Sequence, residues 1–234
     1  MGLIYLRINK LLRYFSCTIQ PSFRRYSMIQ QTIITSLIGY MFGNIQSAYI
    51  IGRIFGGIDI REHGSHNAGA SNVTTIMGIK YGVVVGFVDL LKGMFAVLTI
   101  KWIYPANPDL HFLAGIMAVL GHIFPFFMKF RGGKGVAALV GVMFGLDWKL
   151  GVLFALLVAV PSLITDYIVM GSFSTFLALP VVAYFSGYAL IFIIMGVFMA
   201  VLIFYLHRHN IRRIINKEEL KISEVLFKKK SNQK

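Results

Sequence analysis

Long apolar stretches joined by short polar connections are the feature that most restricts how this chain can fold. Hydrophobic residues make up 57% of the 234 residues, charged residues only 14%, and the mean hydropathy is +0.72. A soluble domain of this length cannot bury so much apolar surface, whereas a transmembrane helix needs about 20 predominantly apolar residues. The stretches are too long for the roughly ten-residue alternation of barrel strands. We therefore expect an all-α, polytopic membrane helix bundle.

Seven apolar stretches are candidate transmembrane helices, and the fourth and sixth are short enough to require extension into the loops or a thinned bilayer. They cover roughly 30–55, 81–100, 111–128, 135–147, 149–165, 172–185 and 188–206. The segment after residue 206 is rich in Lys and Arg, so the positive-inside rule predicts a cytoplasmic C-terminus. Seven spans then place the connections 56–80, 129–134 and 166–171 on the cytoplasmic side as well.

The sequence divides into three parts. Residues 1–27 are a basic amphipathic extension, which forms either an interfacial helix or a segment that precedes a natural start at Met28. Residues 28–216 are the membrane domain, and 217–234 are a basic cytoplasmic tail. A seven-span topology would put the basic extension outside, against the positive-inside rule.

Charge and cysteine content exclude several classes of function. The net charge of +14 lies in the terminal segments and short loops, which fits membrane topology and anionic lipid better than nucleic acid. The single cysteine, Cys17, excludes an internal disulfide framework. Metal-ligand spacing of His, Asp and Glu is not found, so we expect no metal, no cofactor and no nucleic-acid partner.

The first polar connection, residues 59–73, reads DIREHGSHNAGASNV. Glycine lets backbone amides approach a ligand, and short Ser and Asn side chains donate and accept hydrogen bonds, so this loop is suited to wrapping a phosphate or a polyol. The same composition is also typical of an ordinary polar loop rich in turn-forming residues.

A second polar connection, residues 130–135, reads FRGGKG and stands where an apolar helix begins. Amides, helix dipole and the Lys134 ammonium can converge there on an anion. The nucleotide P-loop is excluded, because Met128 and Gly135 occupy the places of its first Gly and its Ser or Thr. The alternative is a basic loop with a glycine turn.

Ionisable residues inside the apolar stretches are costly and usually face the bundle interior in pairs. Asp89 and Lys92 stand three residues apart in the second stretch, and His122 follows Gly121 in the third. Each is either structural or part of a site. Further polar clusters at Thr165–Tyr167 and His207–Asn210 fall at the same predicted edge of the membrane, so we expect a site at the cytoplasmic mouth of the bundle.

Taken in order, these motifs resemble the bacterial acyl-phosphate-dependent glycerol-3-phosphate acyltransferase family over roughly residues 37–216. The resemblance rests on Asp59–Arg61, Gly64–Ser65, Asn67, Gly69–Ala70, Asn72–Val73, Asp89, Lys92–Gly93, Gly121–His122, Pro125, Gly132–Ala137, His207–Arg208 and Asn210–Ile211. It implies a seven-span enzyme of the bacterial inner membrane, with its site facing the cytoplasm. Such an enzyme transfers a fatty acyl group from acyl phosphate to the 1-hydroxyl of glycerol 3-phosphate, giving lysophosphatidic acid and phosphate.

The resemblance also implies partners and site residues. The partners are acyl phosphate, glycerol 3-phosphate, membrane lipid and an enzyme that produces acyl phosphate. The expected catalytic residues are Ser65, Ser172 and Asn210. The expected substrate-binding residues are Asn67, Gly69, Ser71, Asn72, Gly132, Gly133, Lys134, Gly135, His207 and Arg208.

The sequence is a divergent example of this pattern. Thr75 and Asp166 stand where the family has Arg, Val169 where it has Ser, and His209 where it has Glu. A lost charge-assisted contact to phosphate costs roughly 1.5 to 3 kcal/mol, and Arg61, Lys80 and Arg131 are the candidates to replace it. Two alternatives therefore stay open. One is a family member without catalysis that binds a lipid precursor or a partner, and the other is a small transporter.

Overall fold

The computed structural model describes residues 27–227, with side chains to residue 224, and this part of the chain is helical without a strand. The helices are α1 (Met28–Gly43), α2 (Ser47–Gly56), α3 (Ala70–Met77), α4 (Ile79–Ile103), α5 (Pro108–Ile123), α6 (Val136–Leu146), α7 (Trp148–Thr165), α8 (Ile168–Phe185), α9 (Leu190–Leu206), α10 (Arg208–Ile215) and α11 (Ile222–Phe227). Two 3-10 turns lie at Ile60–Glu62 and Phe126–Met128. The all-α prediction is confirmed. The predicted extension lies outside the described residues except for Ser27.

Four helical segments in the described part are long and apolar enough to cross a membrane: Ile79–Ile103, Pro108–Met128, Trp148–Thr165 and Ile168–Phe185. A fifth results if α9 and α10, which meet at 52°, count as one span. At 1.5 Å per residue the 11-residue α6 is about 16 Å long, roughly half the hydrocarbon thickness. The count of seven spans and the cytoplasmic C-terminus stay predictions.

The first predicted span, 30–55, is divided into two helices. Between α1 and α2 the side chain of Asn44 donates to the Tyr40 carbonyl at 2.7 Å and accepts from the Phe126 amide at 3.1 Å. Gln46 Nε2 donates to the His122 carbonyl at 3.1 Å. These contacts fix the break against the C-terminal end of α5, so the long apolar run conceals an interruption that distant residues stabilise.

Glycines let the helix backbones touch. A Cβ at Gly43 of α1 would lie 2.1 Å from the Ala118 oxygen of α5, and one at Gly93 of α4 would lie 2.1 Å from the Ala138 oxygen of α6. No side chain fits in either place. The opposite surfaces of the bundle carry exposed apolar side chains such as Ile164 and Phe185, as expected for helices that face lipid.

Candidate functional site

Four polar side chains from three helices meet in the interior; we call Ser47, Asp89, Lys92 and His122 the buried network. Ser47 Oγ donates to the Asp89 carboxylate at 2.8 Å, and Lys92 Nζ lies 2.8 Å from the same carboxylate and from His122 Nδ1. Lys92 also donates to the Ile45 carbonyl at 2.6 Å. All four side chains are buried. The buried Asp89 and Lys92 charges are therefore paired with each other, as buried charges in a structural role must be.

The glycine loop, Gly132–Gly135, rests directly on this network. The Gly133 amide donates to the His122 carbonyl at 3.1 Å, and the Gly132 amide donates to the Ile123 carbonyl at 3.0 Å. A Cβ at Gly133 would lie 2.0 Å from His122 Nε2. Two of the amides expected at a phosphate are thus occupied in closing the end of α5. Gly135 turns the chain into α6 with a φ of 82°, a value that favours glycine.

The Lys134 side chain leaves this loop and reaches α10, where Nζ donates to Asn210 Oδ1. Asn210 Nδ2 donates to Glu219 Oε1 at 2.6 Å, and Arg213 Nε donates to Glu219 Oε2 at 2.6 Å. We call Lys134, Asn210, Arg213 and Glu219 the rim cluster. Burial lowers the pKa of Lys134 to about 8; the Glu219 carboxylate opposes this shift and the Arg213 guanidinium adds to it. The cluster holds two cations that suit an anion.

His207 lies at the break between α9 and α10, and its buried ring bonds through Nδ1 to the Ile203 carbonyl at 3.0 Å. The ring packs edge-on against Phe173, the neighbour of Ser172 in α8. Ser172 is buried, and its hydroxyl makes a long hydrogen bond of 3.4 Å to the Ile168 carbonyl. The predicted residues of α8 and of the α9–α10 break therefore lie in one neighbourhood.

Asn72 organises the first polar loop. Its Nδ2 lies within 3.0 Å of three carbonyl oxygens, and its Oδ1 accepts from the Ser65 amide at 2.9 Å. The three carbonyls belong to Ile60, His63 and Asn67. Asn72 thus folds the loop, and Asn67 contributes its backbone to that fold.

The other predicted residues of the first loop lie on its exposed surface or where α3 begins. The side chains of Ser65 and Ser71 are exposed, and Gly69 immediately precedes α3. The loop is joined to the glycine loop through the Ala68 amide, which donates to the Gly132 carbonyl at 3.4 Å. The fold therefore brings together two motifs that are more than sixty residues apart.

An open polar groove of about 730 Å³ lies between these loops and α10. It is lined by Asp59, Arg61, Glu62, His66, Phe127, Met128, Lys129, Arg131, Arg208 and His209. Among the predicted site residues, Arg208 contributes to the groove, and its guanidinium stacks on Tyr205 at 4.3 Å.

The three candidates to replace the missing guanidinium differ in how far their charged groups are already engaged by other residues. Arg61 binds Asp59 through two nitrogens, at 2.7 and 3.0 Å, and donates to the Met128 carbonyl at 3.0 Å. This guanidinium holds the pKa of the Asp59 carboxyl below its usual range. Arg131 lines the groove, and Lys80 is exposed at the start of α4. Thr75 itself is exposed and donates to the Ser71 carbonyl at 3.1 Å.

Sequence reasoning missed the residues that the tail contributes. Glu219 completes the rim cluster, and Ser223 donates to the carboxylate of Asp166 at the end of α7. The signal in the sequence was the Glu218–Glu219 pair within a tail that is basic overall. Within residues 27–227 no group of three or more His, Cys, Asp or Glu side chains is placed to hold a metal ion.

A family model described as glycerol-3-phosphate acyltransferase matches residues 33–217, which is most of the chain. The chain belongs to the glycerol-3-phosphate acyltransferase family. "Glycerol-3-phosphate acyltransferase 1" of Oceanobacillus iheyensis is 36% identical over 207 residues, covering 85% of this chain and 99% of the relative. The glycerol-3-phosphate acyltransferase of Pelagibacter ubique is 40% identical over 190 residues, covering 81% and 96%. The predicted family is confirmed.

Solved structures of this family share the fold. The crystal structure of PlsY, an integral membrane glycerol 3-phosphate acyltransferase, in its glycerol 3-phosphate form is 32% identical with a TM-score of 0.74. The match covers 84% of this chain and 98% of that structure. The lysophosphatidic acid form gives a TM-score of 0.71 over the same shares. The likeness confirms the predicted integral membrane helix bundle.

Proposed function

We propose that the protein transfers a fatty acyl group from acyl phosphate to the 1-hydroxyl of glycerol 3-phosphate, giving lysophosphatidic acid and phosphate. One observation carries this proposal: the fold joins Lys134 of the glycine loop to Asn210 of α10, 76 residues away. From the family resemblance of the sequence, Lys134 was expected to bind substrate and Asn210 to take part in catalysis. Relatives that carry this acyltransferase name, and a structural neighbour solved with glycerol 3-phosphate, support the assignment.

The reaction demands positioning and charge neutralisation more than a strong base. Acyl phosphate is a mixed anhydride, so the oxygen of the acceptor hydroxyl bonds to an activated carbonyl carbon and the bond from that carbon to the phosphate oxygen breaks. Phosphate leaves with the electron pair and takes up the proton of the acceptor hydroxyl. Preorganised cations and amide dipoles stabilise charge where it develops. The Lys134 ammonium, with Asn210 as its hydrogen-bonding neighbour, binds the phosphate of glycerol 3-phosphate and adds positive charge beside the reacting groups. Arg208 and Arg131 add positive charge along the groove.

The remaining predicted residues divide into contact and support. Ser65, Ser71 and Ser172 offer hydroxyl groups to substrate, and His207 packs beside Ser172's helix neighbour Phe173. Asn67, Gly69 and Asn72 give the first loop its shape. Gly132, Gly133 and Gly135 hold the lysine in place. Ser65, Ser172 and Asn210 are the residues we assign to catalysis.

We place this site on the cytoplasmic face of a bacterial inner membrane. Support comes from the joining of the first loop, the glycine loop and α10 at one end of the bundle, where the groove opens. Water-soluble glycerol 3-phosphate would enter from that side, and the acyl chain would lie among the apolar helices. An enzyme at the membrane surface would supply acyl phosphate. Residues 28–216 form the catalytic membrane domain in this assignment, and no cofactor takes part.

The test is phosphate release from palmitoyl phosphate by detergent-purified protein, with and without glycerol 3-phosphate. We expect release that depends on the acceptor, with lysophosphatidic acid detected by mass spectrometry. A heat-denatured sample corrects for spontaneous hydrolysis. If circular dichroism shows that the protein is folded and it still gives no turnover, the assignment is contradicted.

A further inference from the structure

The tail returns to the membrane domain instead of leaving it. After α10 the chain reverses at Lys217, whose φ is 61°, and the amides of Glu218 and Glu219 both donate to the Arg213 carbonyl, at 2.7 and 3.2 Å. This turn places the Glu219 side chain beside the last turns of α10. The position of the carboxylate is therefore set by the backbone.

The Glu219 carboxylate is bound as an anionic ligand is bound. One oxygen accepts from the Asn210 amide nitrogen and the other accepts from Arg213 Nε, both at 2.6 Å, and the side chain is 8% exposed. Asn210 in turn accepts from Lys134. Guanidinium and amide donors bind phosphate oxygens with the same geometry as carboxylate oxygens. The acid therefore occupies donors that a substrate phosphate would use.

A second contact holds the tail on a different helix. Asp166 ends α7 in the left-handed region, and its carboxylate accepts from the Ser223 amide at 2.9 Å and from the Ser223 hydroxyl. The Ile222 amide also donates to the Asp166 carbonyl at 3.0 Å. The segment from Glu219 to Ser223 is thus fixed at both ends, and it bridges α10 to the turn between α7 and α8.

Both contacts depend on residues outside the part matched by the family model, which ends at residue 217. Five residues beyond Glu219 a similar acid, Glu224, is exposed and accepts from the Lys221 amide at 3.3 Å. The two acids make a natural comparison of a docked carboxylate with an exposed one.

We propose that Glu219 is an internal competitor for the phosphate-bearing substrate. Its carboxylate occupies Asn210 and Arg213 beside Lys134, and it must leave before the phosphate of glycerol 3-phosphate can bind there. The inference rests on the proposed function only in taking Lys134 and Asn210 as phosphate-binding residues. With a competitor tied to the same chain, the apparent Kd equals the intrinsic Kd divided by the fraction of molecules in which the site is open, while the rate at saturation is unchanged. The contact of Asp166 with Ser223 sets how readily the tail departs.

The experiment compares the full-length wild-type protein with Glu219→Gln, Ser223→Ala and the control Glu224→Gln. Calorimetry in detergent measures the Kd for glycerol 3-phosphate, and acceptor-dependent phosphate release measures KM and kcat. For Glu219→Gln we expect Kd and KM to fall at least about three-fold with kcat unchanged. Ser223→Ala should show a smaller fall in both, and Glu224→Gln should match the wild type.

Each contrary result has a distinct meaning. An unchanged or weaker Kd in folded Glu219→Gln overturns the competition. A lower kcat at unchanged KM also overturns it, because Glu219 would then be a support that orients Asn210. Equal falls of Kd in Glu219→Gln and Glu224→Gln would show that the effect comes only from the change in net charge, and this too would overturn the competition. If the wild type binds glycerol 3-phosphate without turnover, the acyl-transfer assignment fails while the Kd comparison still decides the competition.

Discussion

The buried network and the rim cluster use the same chemistry in opposite ways. Each contains a lysine, a carboxylate and a neutral hydrogen-bonding side chain. In the buried network Asp89 and Lys92 stand one helical turn apart on α4 and are enclosed on all sides. In the rim cluster the carboxylate of Glu219 arrives from the tail, and the Arg213 side chain that binds it is 36% exposed. The first arrangement is permanent, and the second can be exchanged for a ligand.

The two regions are joined through a single short path. Lys92 lies 2.8 Å from His122 Nδ1, the far side of that ring meets Gly133, and the next residue is Lys134. The rigid interior thus sets the position of the cation at the rim. This arrangement suits a reaction in which a fixed positive charge must meet an exchangeable phosphate.

The largest expected effect comes from breaking the buried network. Lys92→Met leaves the Asp89 carboxylate buried without its cation, and removal of one partner from such a pair costs about 3 to 5 kcal/mol. We expect a clear loss of thermal stability in detergent, followed by the fluorescence of Trp102 and Trp148. The double variant Asp89→Asn with Lys92→Met should recover part of the loss. Wild-type stability in Lys92→Met would contradict a structural role.

Much of the buried network was predictable, because its charges are close in sequence. Ionisable residues in an apolar stretch must pair, and the spacing of Asp89 and Lys92 places them on one face of a helix. The family motifs likewise indicated Lys134 and Asn210. What sequence reasoning could not supply were contacts between distant segments. Examples are the break between α1 and α2, which is fixed by α5, and the use of the Gly132 and Gly133 amides to close α5.

The docked tail was beyond sequence reasoning for the same physical reason. Asp166 and Ser223 are 57 residues apart, and only the folded chain brings them into contact. The composition of the tail did not predict this docking, because a basic segment is expected to lie in the cytoplasm beside anionic lipid. A departure from the family pattern at Asp166 was visible, but its partner was not.

The second prediction concerns the rim. Lys134→Ala removes a charge-assisted contact to phosphate, worth about 1.5 to 3 kcal/mol, so kcat/KM for glycerol 3-phosphate should fall roughly 10- to 150-fold. Thermal stability should change little, in contrast to Lys92→Met. Lys149→Ala, in the first turn of α7 and beyond the opposite end of α6, is the matched control and should retain activity. An unchanged kcat/KM in Lys134→Ala would remove the phosphate-binding assignment.

The third prediction tests the path between the two regions. A methyl group at Gly133 would lie 2.0 Å from His122 Nε2 and 2.7 Å from the Ala68 oxygen, so Gly133→Ala must displace the loop. Overpacking of this kind costs about 1 to 3 kcal/mol, and we expect losses in both stability and kcat/KM. Gly86→Ala is the control, because its Cβ would make an ordinary 3.6 Å contact with Ala70. Full activity in Gly133→Ala would show that the rim does not depend on the interior.

The smallest effect is the dependence on pH, which tests the charge that Lys134 contributes to the rim cluster. With its pKa lowered to about 8, Lys134 is charged below that pH and loses its proton above it. If the ammonium binds phosphate, kcat/KM should be half its plateau at pH 8 and fall about ten-fold per unit beyond. Assays from pH 7 upward keep the substrate phosphate a dianion, since its second pKa is about 6.

Two variants give this pH profile its meaning. Lys134→Arg keeps its charge throughout the range, so its profile should stay flat from pH 8 to 9.5 whatever its absolute rate. Because the Glu219 carboxylate raises the pKa of Lys134, Glu219→Gln should move the fall to lower pH while lowering KM at pH 7. The two shifts have a common cause, which is the removal of one anion from the rim cluster. A decline that persists in Lys134→Arg would assign the titration to another group and separate the pH dependence from the rim cluster.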